Sequence, residues 1–376
     1  MTQHMIIVGS GILGASTAFY LTQMGHQVTI IDRKDKGQAT EAAAGIICPW
    51  VSKRRNKKWY TLAKNGAKLY PELVQQLQFY GESDVGYEQV GSLHLHTDYE
   101  KLEDMKARTL KKRENAPEIG TLDLLSPLEV QNKVPFLNDD LYGLSVSGSA
   151  RLNGADMRDA LLAAAKKCGA TIIHGDASIT SKNGKITGIA VNQINYEADQ
   201  IILACGAWLP EILEPLGYQV QIKEQKAQII ELQMKQFQTT HFPVIMQPNT
   251  QYMLPFPDGR ILLGTTHEDE TNFDTNVTAG ALQEILTKAQ EIAPQLMHST
   301  FKKAYVGFRP VSPNFSPLFG PLLDQSNVFV ANGLGSSGLT MGPYIGKILA
   351  AYLSGYEIEL DLDDYPIAEM ISKESS

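Results

Sequence analysis

Cysteine is scarce: Cys48, Cys168 and Cys205 are the only three in 376 residues, and they are far apart. They form neither a C-x-x-C metal or redox pair nor an even disulfide framework, so they read as small buried hydrophobes in a reducing, cytoplasmic setting. Positive charge is also in short supply. Lys plus Arg is 33 against 41 for Asp plus Glu, a formal net charge of −8, without the basic excess that a phosphate backbone requires. Nucleic acid is not expected as a partner, and no spacing of His, Cys, Asp or Glu suggests a metal. Long apolar runs are missing too. Ser10, Gly11, Thr22 and Gln23 interrupt the most apolar stretch, so no spanning helix is expected, while contact with the inner face of a membrane stays open. The first residues show no basic leader, apolar core and cleavage site, which argues against a signal peptide. Neither an internal repeat nor a low-complexity tract is present.

Hydrophobic residues make up 43% of the chain and charged residues 20%, the balance of a globular protein with a large core and more than one domain. Met5 to Val8 is an apolar run ended by Gly9, Ile12 to Met24 is helix-length, and Val28 to Ile31 is a second apolar run closing on Asp32. This is strand, tight turn, helix, strand: a βαβ unit whose wholly apolar strands imply a sheet covered on both faces. From Lys53 the basic run Lys-Arg-Arg-Asn-Lys-Lys leads into a helical pattern through Leu77, read as the solvated entry of a helix. A strand pattern over Tyr87 to His96, a charged helix over Tyr99 to Glu114 and a capping box at Ser126–Glu129 follow, in more polar sequence. The helix Ala155 to Cys168, a hairpin turning at Asn183-Gly184 and the strand Gln200 to Ala204 resume the first pattern. Strands over Gln219 to Leu232 and Tyr252 to Gly264 and a helix over Ala279 to Ile292 leave it again, and Val328 to Val330 with a helix from Pro343 to Leu353 closes it. The expected fold is α/β: a Rossmann-like doubly wound domain from 1–52, 145–217 and 301–376, with an antiparallel-sheet α+β domain from 53–144 and 218–300 inserted in it.

Gly9-Ser-Gly11-Ile-Leu-Gly14 is G-x-G-x-x-G between that first strand and helix. Gly9 permits the tight turn, Gly11 lets a pyrophosphate approach the backbone, and Gly14 lets helix pack on strand, with the phosphates at the helix N-terminus. Asp32, at the end of the second strand, suits a ribose hydroxyl. NAD and FAD share this fingerprint. A nicotinamide-dependent dehydrogenase and a nucleotide-binding module without turnover therefore remain alternatives at this point.

Three further segments narrow the choice: Ala39 to Trp50, a small-residue loop; Ala204-Cys-Gly206-Ala-Trp208; and Asn332 to Pro343, rich in glycine. With the fingerprint they resemble the D-amino-acid oxidase family of FAD-dependent amine oxidoreductases, which includes glycine oxidase, sarcosine oxidase and D-amino-acid dehydrogenase. The resemblance runs from Met5 to about Leu353. It implies FAD, with Ile12 and Leu13 at the pyrophosphate, Asp32 and Arg33 at the adenosine ribose, Ala39 and Thr40 beside the phosphates, and Ala44, Gly45 and Ile46 against the isoalloxazine ring. It also implies that Gly206 belongs to the cofactor site, that Ala177 contacts adenine, and that Leu334, Gly335, Ser336, Ser337, Gly338, Leu339 and Thr340 face the flavin's pyrimidine end.

Gly307-Phe-Arg309-Pro310 matches the family's G-x-R-P, whose arginine grips the substrate carboxylate, and Tyr252 matches a strand tyrosine that helps hold it. His267 lies one residue from a place where sarcosine oxidases carry a histidine. Departures matter as well. Ser336 stands where glycine oxidase has a second arginine, no cysteine follows Cys205 to carry a covalent flavin, and Leu262 replaces the oxygen-activating lysine of sarcosine oxidase. The resemblance thus implies oxidation of the Cα–N bond of a small amino acid, a D-amino acid in the first instance, by hydride transfer to non-covalent FAD. The imine then yields a 2-oxo acid and ammonia. A glycine, sarcosine or proline type of amine is the alternative substrate. The electron acceptor is a quinone or oxygen, with dehydrogenase expected over oxidase, and a homo-oligomer is compatible with all of this.

Overall fold

The computed structural model describes residues 2–249 and 251–373. Its frame is a six-stranded sheet in the order Leu318–Leu322, Gln325–Asn332, Gln200–Leu203, His4–Val8, Gln27–Asp32, Thr171–His174. Every neighbour pair is parallel except the edge pair made by Leu318–Leu322. Along the first strand, Met5 and Ile7 enter the core under the helices, while Ile6 and Val8 enter a second core on the opposite face. Both faces are dry, which is why the strand reads as unbroken apolar sequence and not as alternation. One face carries the helices Ile12–Gln23, Gly154–Lys167 and Gly338–Leu353, with Lys57–Phe79 packed on the last. The other face is covered by a three-stranded antiparallel sheet, Ala177–Lys182, Lys185–Val191 and Ile194–Glu197.

The closing helix starts at Gly338, and Pro343 lies inside it, not at its start as expected. Proline has no N–H to give to the carbonyl of Leu339, four residues back. The hydroxyl of Tyr70, from the neighbouring helix, donates to that carbonyl instead. Small residues let this helix approach the first one: a Cβ on Gly346 would come within 2.7 Å of Ser16 Cβ.

The second layer is a nine-stranded, mostly antiparallel sheet. Ile230, Ile245, Met253 and Leu263 point into a core closed by the helix Ala279–Gln290. Ile229, Val244, Leu254 and Leu262 point the other way, toward Ala44 and Ile46 of the first domain. This period-two alternation makes the sheet a roof with one face over the first domain's loops.

Three expectations need correcting. Thr300–Val311 does not join the first domain; it pairs along its length with Lys223–Gln233 in the roof, and the chain rejoins the six-stranded sheet only at Leu318. The strand over Gln219 to Leu232 is two strands, because Tyr218–Val220 pairs with Ile371–Lys373 at the far end of the chain. The cysteines are free but only half-buried; Cys205 follows a strand that ends at a cleft, and it lines that cleft. Among the described residues, no helix is long and apolar enough to cross a membrane and no group of His, Cys, Asp or Glu could hold a metal ion.

Candidate active site

A partly open cleft with about 970 Å³ of empty space runs over the C-terminal ends of the parallel strands, where open α/β sheets place their ligands. Gly9, Gly11, Ile12, Leu13, Asp32, Arg33, Ala39, Thr40, Ala177, Gly206, Leu334, Gly335 and Gly338 all line it. So do residues that sequence reading missed, among them Gln38, Asp176, Trp208, Phe308 and Pro310. Trp208 and Phe308 both contact Phe273, with ring centroids 5.1 Å from it in each case, so an aromatic cluster borders the cleft. No spacing in the sequence links those three rings.

The fingerprint glycines divide into two kinds. A Cβ on Gly9 would overlap the Ala204 carbonyl and one on Gly14 would overlap that of Gly9, so both glycines are required by the protein's own packing. Gly14 accordingly does not line the cleft. At Gly11 an added Cβ would meet nothing nearer than Thr40 Oγ1 at 3.4 Å, and it would stand on the cleft wall. The glycine leaves the cleft wall bare for close approach to the backbone. The helix that starts at Ile12 has no side-chain cap at Gly11, and the Ile12 N–H donates to Thr40 Oγ1 at 3.0 Å. A helix start without a capping side chain, approached over a bare glycine, suits a phosphate.

Asp32 accepts hydrogen bonds from Ser10 N at 2.6 Å, Lys34 N at 2.6 Å and Gln38 Nε2 at 2.9 Å. Of a carboxylate's four or so lone-pair positions, this leaves about one for a ribose hydroxyl. Arg33 pairs with Asp35, Asp176 and Glu211, so its charge is balanced by the protein itself. Asn332 ties the two glycine loops together: its Nδ2 donates to Gly206 O at 2.8 Å and its Oδ1 accepts from Gly333 N at 2.7 Å. The cleft thus fits a dinucleotide by its shape, its helix start and its acidic strand end.

The remaining expected cofactor residues lie elsewhere. Ala44 lines a second cavity, with about 660 Å³ of empty space, together with Ile229, Leu262 and Tyr305 of the roof. Ile46 packs in the same apolar cluster as Tyr252 and Met246. Gly45 is left-handed, with φ 91°, and a Cβ there would overlap Leu152 O, so packing explains that glycine too. Ser336 is exposed, Ser337 half-buried, and Leu339 is buried in the helix core. Thr340 Oγ1 donates to Ile46 O at 3.3 Å, which joins the closing helix to the Ala44–Ile46 loop.

Under the roof the two expected substrate residues come together, although 56 positions separate Arg309 from Tyr252. Gly307 is small because a Cβ there would come within 2.7 Å of Ala42 Cβ, so the strand can pass the loop and deliver Arg309. Arg309 Nη2 donates to Thr265 Oγ1 at 3.1 Å and its Nη1 to Gln225 Oε1 at 3.4 Å. The Gln225 amide is oriented by its Nε2 donating to Asp269 Oδ1 at 3.0 Å. The Tyr252 hydroxyl is hydrogen-bonded to the side chain of Thr265, and burial pushes its pKa up to about 12 against the opposing effects of Arg309 and of that bond. It is therefore a neutral donor at physiological pH. Burial also lowers the Arg309 pKa, partly offset by Tyr252, but a guanidinium stays charged. No carboxylate pairs with Arg309 among the described residues. His267 is exposed, and its pKa is lowered by desolvation and then by Arg309. Thr265 and Gln225 were not legible as site residues. Gln225 faces Arg309 only through strand register, and Thr265 lies two residues before His267.

The chain is 48% identical to the oxidoreductase YurR of Bacillus subtilis (strain 168) over 96% of its length and 97% of that protein's. It is 26% identical to the glycine oxidase of Pseudomonas putida (strain KT2440), covering 97% and 98% of the two chains. The crystal structure of iminodiacetate oxidase from Chelativorans sp. BNC1 superposes with a TM-score of 0.93 at 37% identity, over 96% and 98% of the two chains. The family model of FAD dependent oxidoreductases matches residues 4–352, a span that holds the fingerprint, both glycine loops and the Arg309 strand. With the family model matched over nearly the whole chain, and with a cleft that fits a dinucleotide beneath the roof, the chain belongs to the FAD-dependent oxidoreductases of the D-amino-acid oxidase (DAO) type.

Proposed function

We propose that the protein oxidises the carbon–nitrogen bond of a small amino acid held by its carboxylate on Arg309. The observation that carries this is the uncompensated guanidinium. A cation partly removed from water, with only Thr265 and Gln225 as neutral partners, is completed by an anion of carboxylate size and shape. Tyr252 adds a neutral O–H to the same anion. Bound FAD supplies the acceptor for two electrons. The protein's part is to fix the carboxylate, and with it the direction of the α-carbon, and to exclude water beneath the apolar residues Ile229, Leu254 and Met246. With the amine neutral, no side-chain base is required. The oxidised product is an imine, which water converts to a carbonyl compound and an amine.

The amine is taken to be either that of a D-amino acid or one of the glycine, sarcosine or proline type. Support for the second class comes from the relatives, a glycine oxidase and, at 37% identity, an iminodiacetate oxidase. Anaerobic bleaching of the FAD-loaded protein near 450 nm, with D-amino acids, glycine, sarcosine, iminodiacetate and L-proline in turn, tests both. Bleaching by a carboxylate-bearing amine is expected and its decarboxylated analogue should be inert. Equal bleaching by the analogue would remove Arg309 from substrate recognition.

We further propose that FAD is held without a covalent bond, because no cysteine follows Cys205; acid precipitation should release all the flavin. Electron disposal to a quinone is read from Leu262 at the strand position of the oxygen-activating lysine, although Lys303 and Arg260 line the same second cavity. Reduced protein should reoxidise slowly in air and quickly with a quinone or dye, and peroxide release matching turnover would show an oxidase instead.

A further inference from the structure

The basic run that the sequence marks as a helix entry is not balanced by the fold. Lys53, Arg55 and Lys57 are exposed and have no carboxylate partner among the described residues, while the neighbouring Lys58 pairs with Asp364. Arg54 spends its donors on the backbone carbonyls of Asn314 and Phe315, and Lys112 on those of Trp50 and Ser52, at 2.7 and 2.8 Å. Both stay charged. Lys112 also brings the end of its helix, with exposed Lys111, against the start of the run. In a chain of net charge −8, these six cations therefore have no carboxylate partner among the described residues, although the Glu369 carboxylate accepts from Asn314 Nδ2 at 3.0 Å on the adjoining turn. None of the six lines either cavity, so the surface is not part of the pocket for a small anion.

Phe315 lies beside the run, its carbonyl accepting from Arg54. Its side chain is 61% exposed on a turn closed by Phe315 N donating to Ser312 O at 3.0 Å and Asn56 Nδ2 donating to Ser316 Oγ at 2.8 Å. An aromatic ring held out on a braced turn beside an exposed basic run combines the two terms that hold a protein to an anionic bilayer: attraction to lipid headgroups and entry of an apolar group below them. We propose that this face docks on an anionic phospholipid surface, with Phe315 as the inserted residue. The turn backs onto Gly333, where a Cβ would come within 2.9 Å of Ser312 Cβ. Docking would therefore set the start of the C-terminal glycine loop near the membrane. The inference does not depend on the reading of Arg309.

Cosedimentation of the FAD-loaded protein with vesicles tests it. Binding is expected to vesicles of phosphatidylcholine mixed with phosphatidylglycerol and not to phosphatidylcholine alone, and it should weaken sharply between about 0.1 M and about 1 M salt as screening shortens. The triple variant Lys53→Gln, Arg55→Gln, Lys57→Gln should partition roughly 100-fold less, and Phe315→Ser should also partition less, both with anaerobic flavin reduction by the amine unchanged. Absence of binding to anionic vesicles, or the same partitioning for the triple variant, would overturn the docking face. Equal partitioning of Phe315→Ser would overturn the inserted ring. Binding to polyglutamate but not to vesicles would assign the face to an acidic protein and overturn the lipid.

Discussion

Arg309 is worth more to the site than its two hydrogen bonds suggest, because among the described residues no carboxylate pairs with its charge. Removing an arginine that pairs with a desolvated carboxylate costs about 3–5 kcal/mol. Arg309→Ala should therefore lower kcat/KM by roughly 10²- to 10⁴-fold, whereas Arg309→Lys, which keeps the charge and loses the fork, should fall less. Both should retain their FAD, as read by absorbance of the purified protein; wild-type flavin reduction by Arg309→Ala would make the residue structural. A different single residue works against stability. Gln247 is buried, and neither its Nε2 nor its Oε1 has a hydrogen-bond partner among the described residues. Such a group costs about 1–3 kcal/mol, so Gln247→Met should raise the free energy of unfolding by about 1 kcal/mol in urea titrations, and an unchanged or lower midpoint would contradict this.

Among the elements, the closing helix depends on a side chain from another helix. With Pro343 unable to serve the Leu339 carbonyl, Tyr70→Phe leaves that buried acceptor bare, and a loss of about 1–2 kcal/mol is expected. Adding Pro343→Ala restores an N–H at the right position, so the double variant should recover most of the loss. A strictly additive double-mutant cycle would show that the hydroxyl is not the carbonyl's substitute donor. The first helix makes a separate prediction. Gly11→Val adds a side chain to the cleft wall where the protein itself leaves room, so the variant should fold with wild-type circular dichroism yet purify colourless. A yellow, fully loaded Gly11→Val would move the pyrophosphate elsewhere.

Over the whole molecule, acid should unfold the protein partly through one histidine. His94 sits in the roof, with Nε2 3.1 Å from Ser92 Oγ and 3.6 Å from Cys48 Sγ, and burial pushes its pKa down to about 4. The unfolded chain takes up a proton near pH 6.5 that the folded one refuses. The cost is absent above that pH and grows as the pH falls toward 4, reaching about 2 kcal/mol by about pH 5. Urea midpoints at about pH 7.5 and pH 5 should show this loss, and His94→Gln should flatten it; an equal pH dependence in both proteins would place the acid sensitivity elsewhere.

How much of this was legible in the sequence depended on the range of the forces involved. The βαβ start, the capping box at Ser126–Glu129 and the turn at Asn183-Gly184 with positive φ at both residues follow from neighbours within a few positions, where periodicity and backbone sterics act. The requirement for glycine at positions 9, 11 and 14 was equally plain, and so was the presence of an arginine in G-x-R-P. Only the folded chain decided why each was needed: Gly9 and Gly14 face the protein's own carbonyls, while Gly11 faces a cleft. The same holds for Thr300–Val311, whose place in the roof is set by pairing with a strand some 75 positions away, and for Pro343, tolerated because Tyr70 reaches it from another helix. Thr265 and Gln225 became partners of Arg309 through strand register. Local sterics and burial period are written residue by residue, so the sequence determined the elements and their chemistry. Register, long-range hydrogen bonds and uncompensated charge exist only between segments, so the tertiary structure alone decided which side chains meet and which cations are left without a partner.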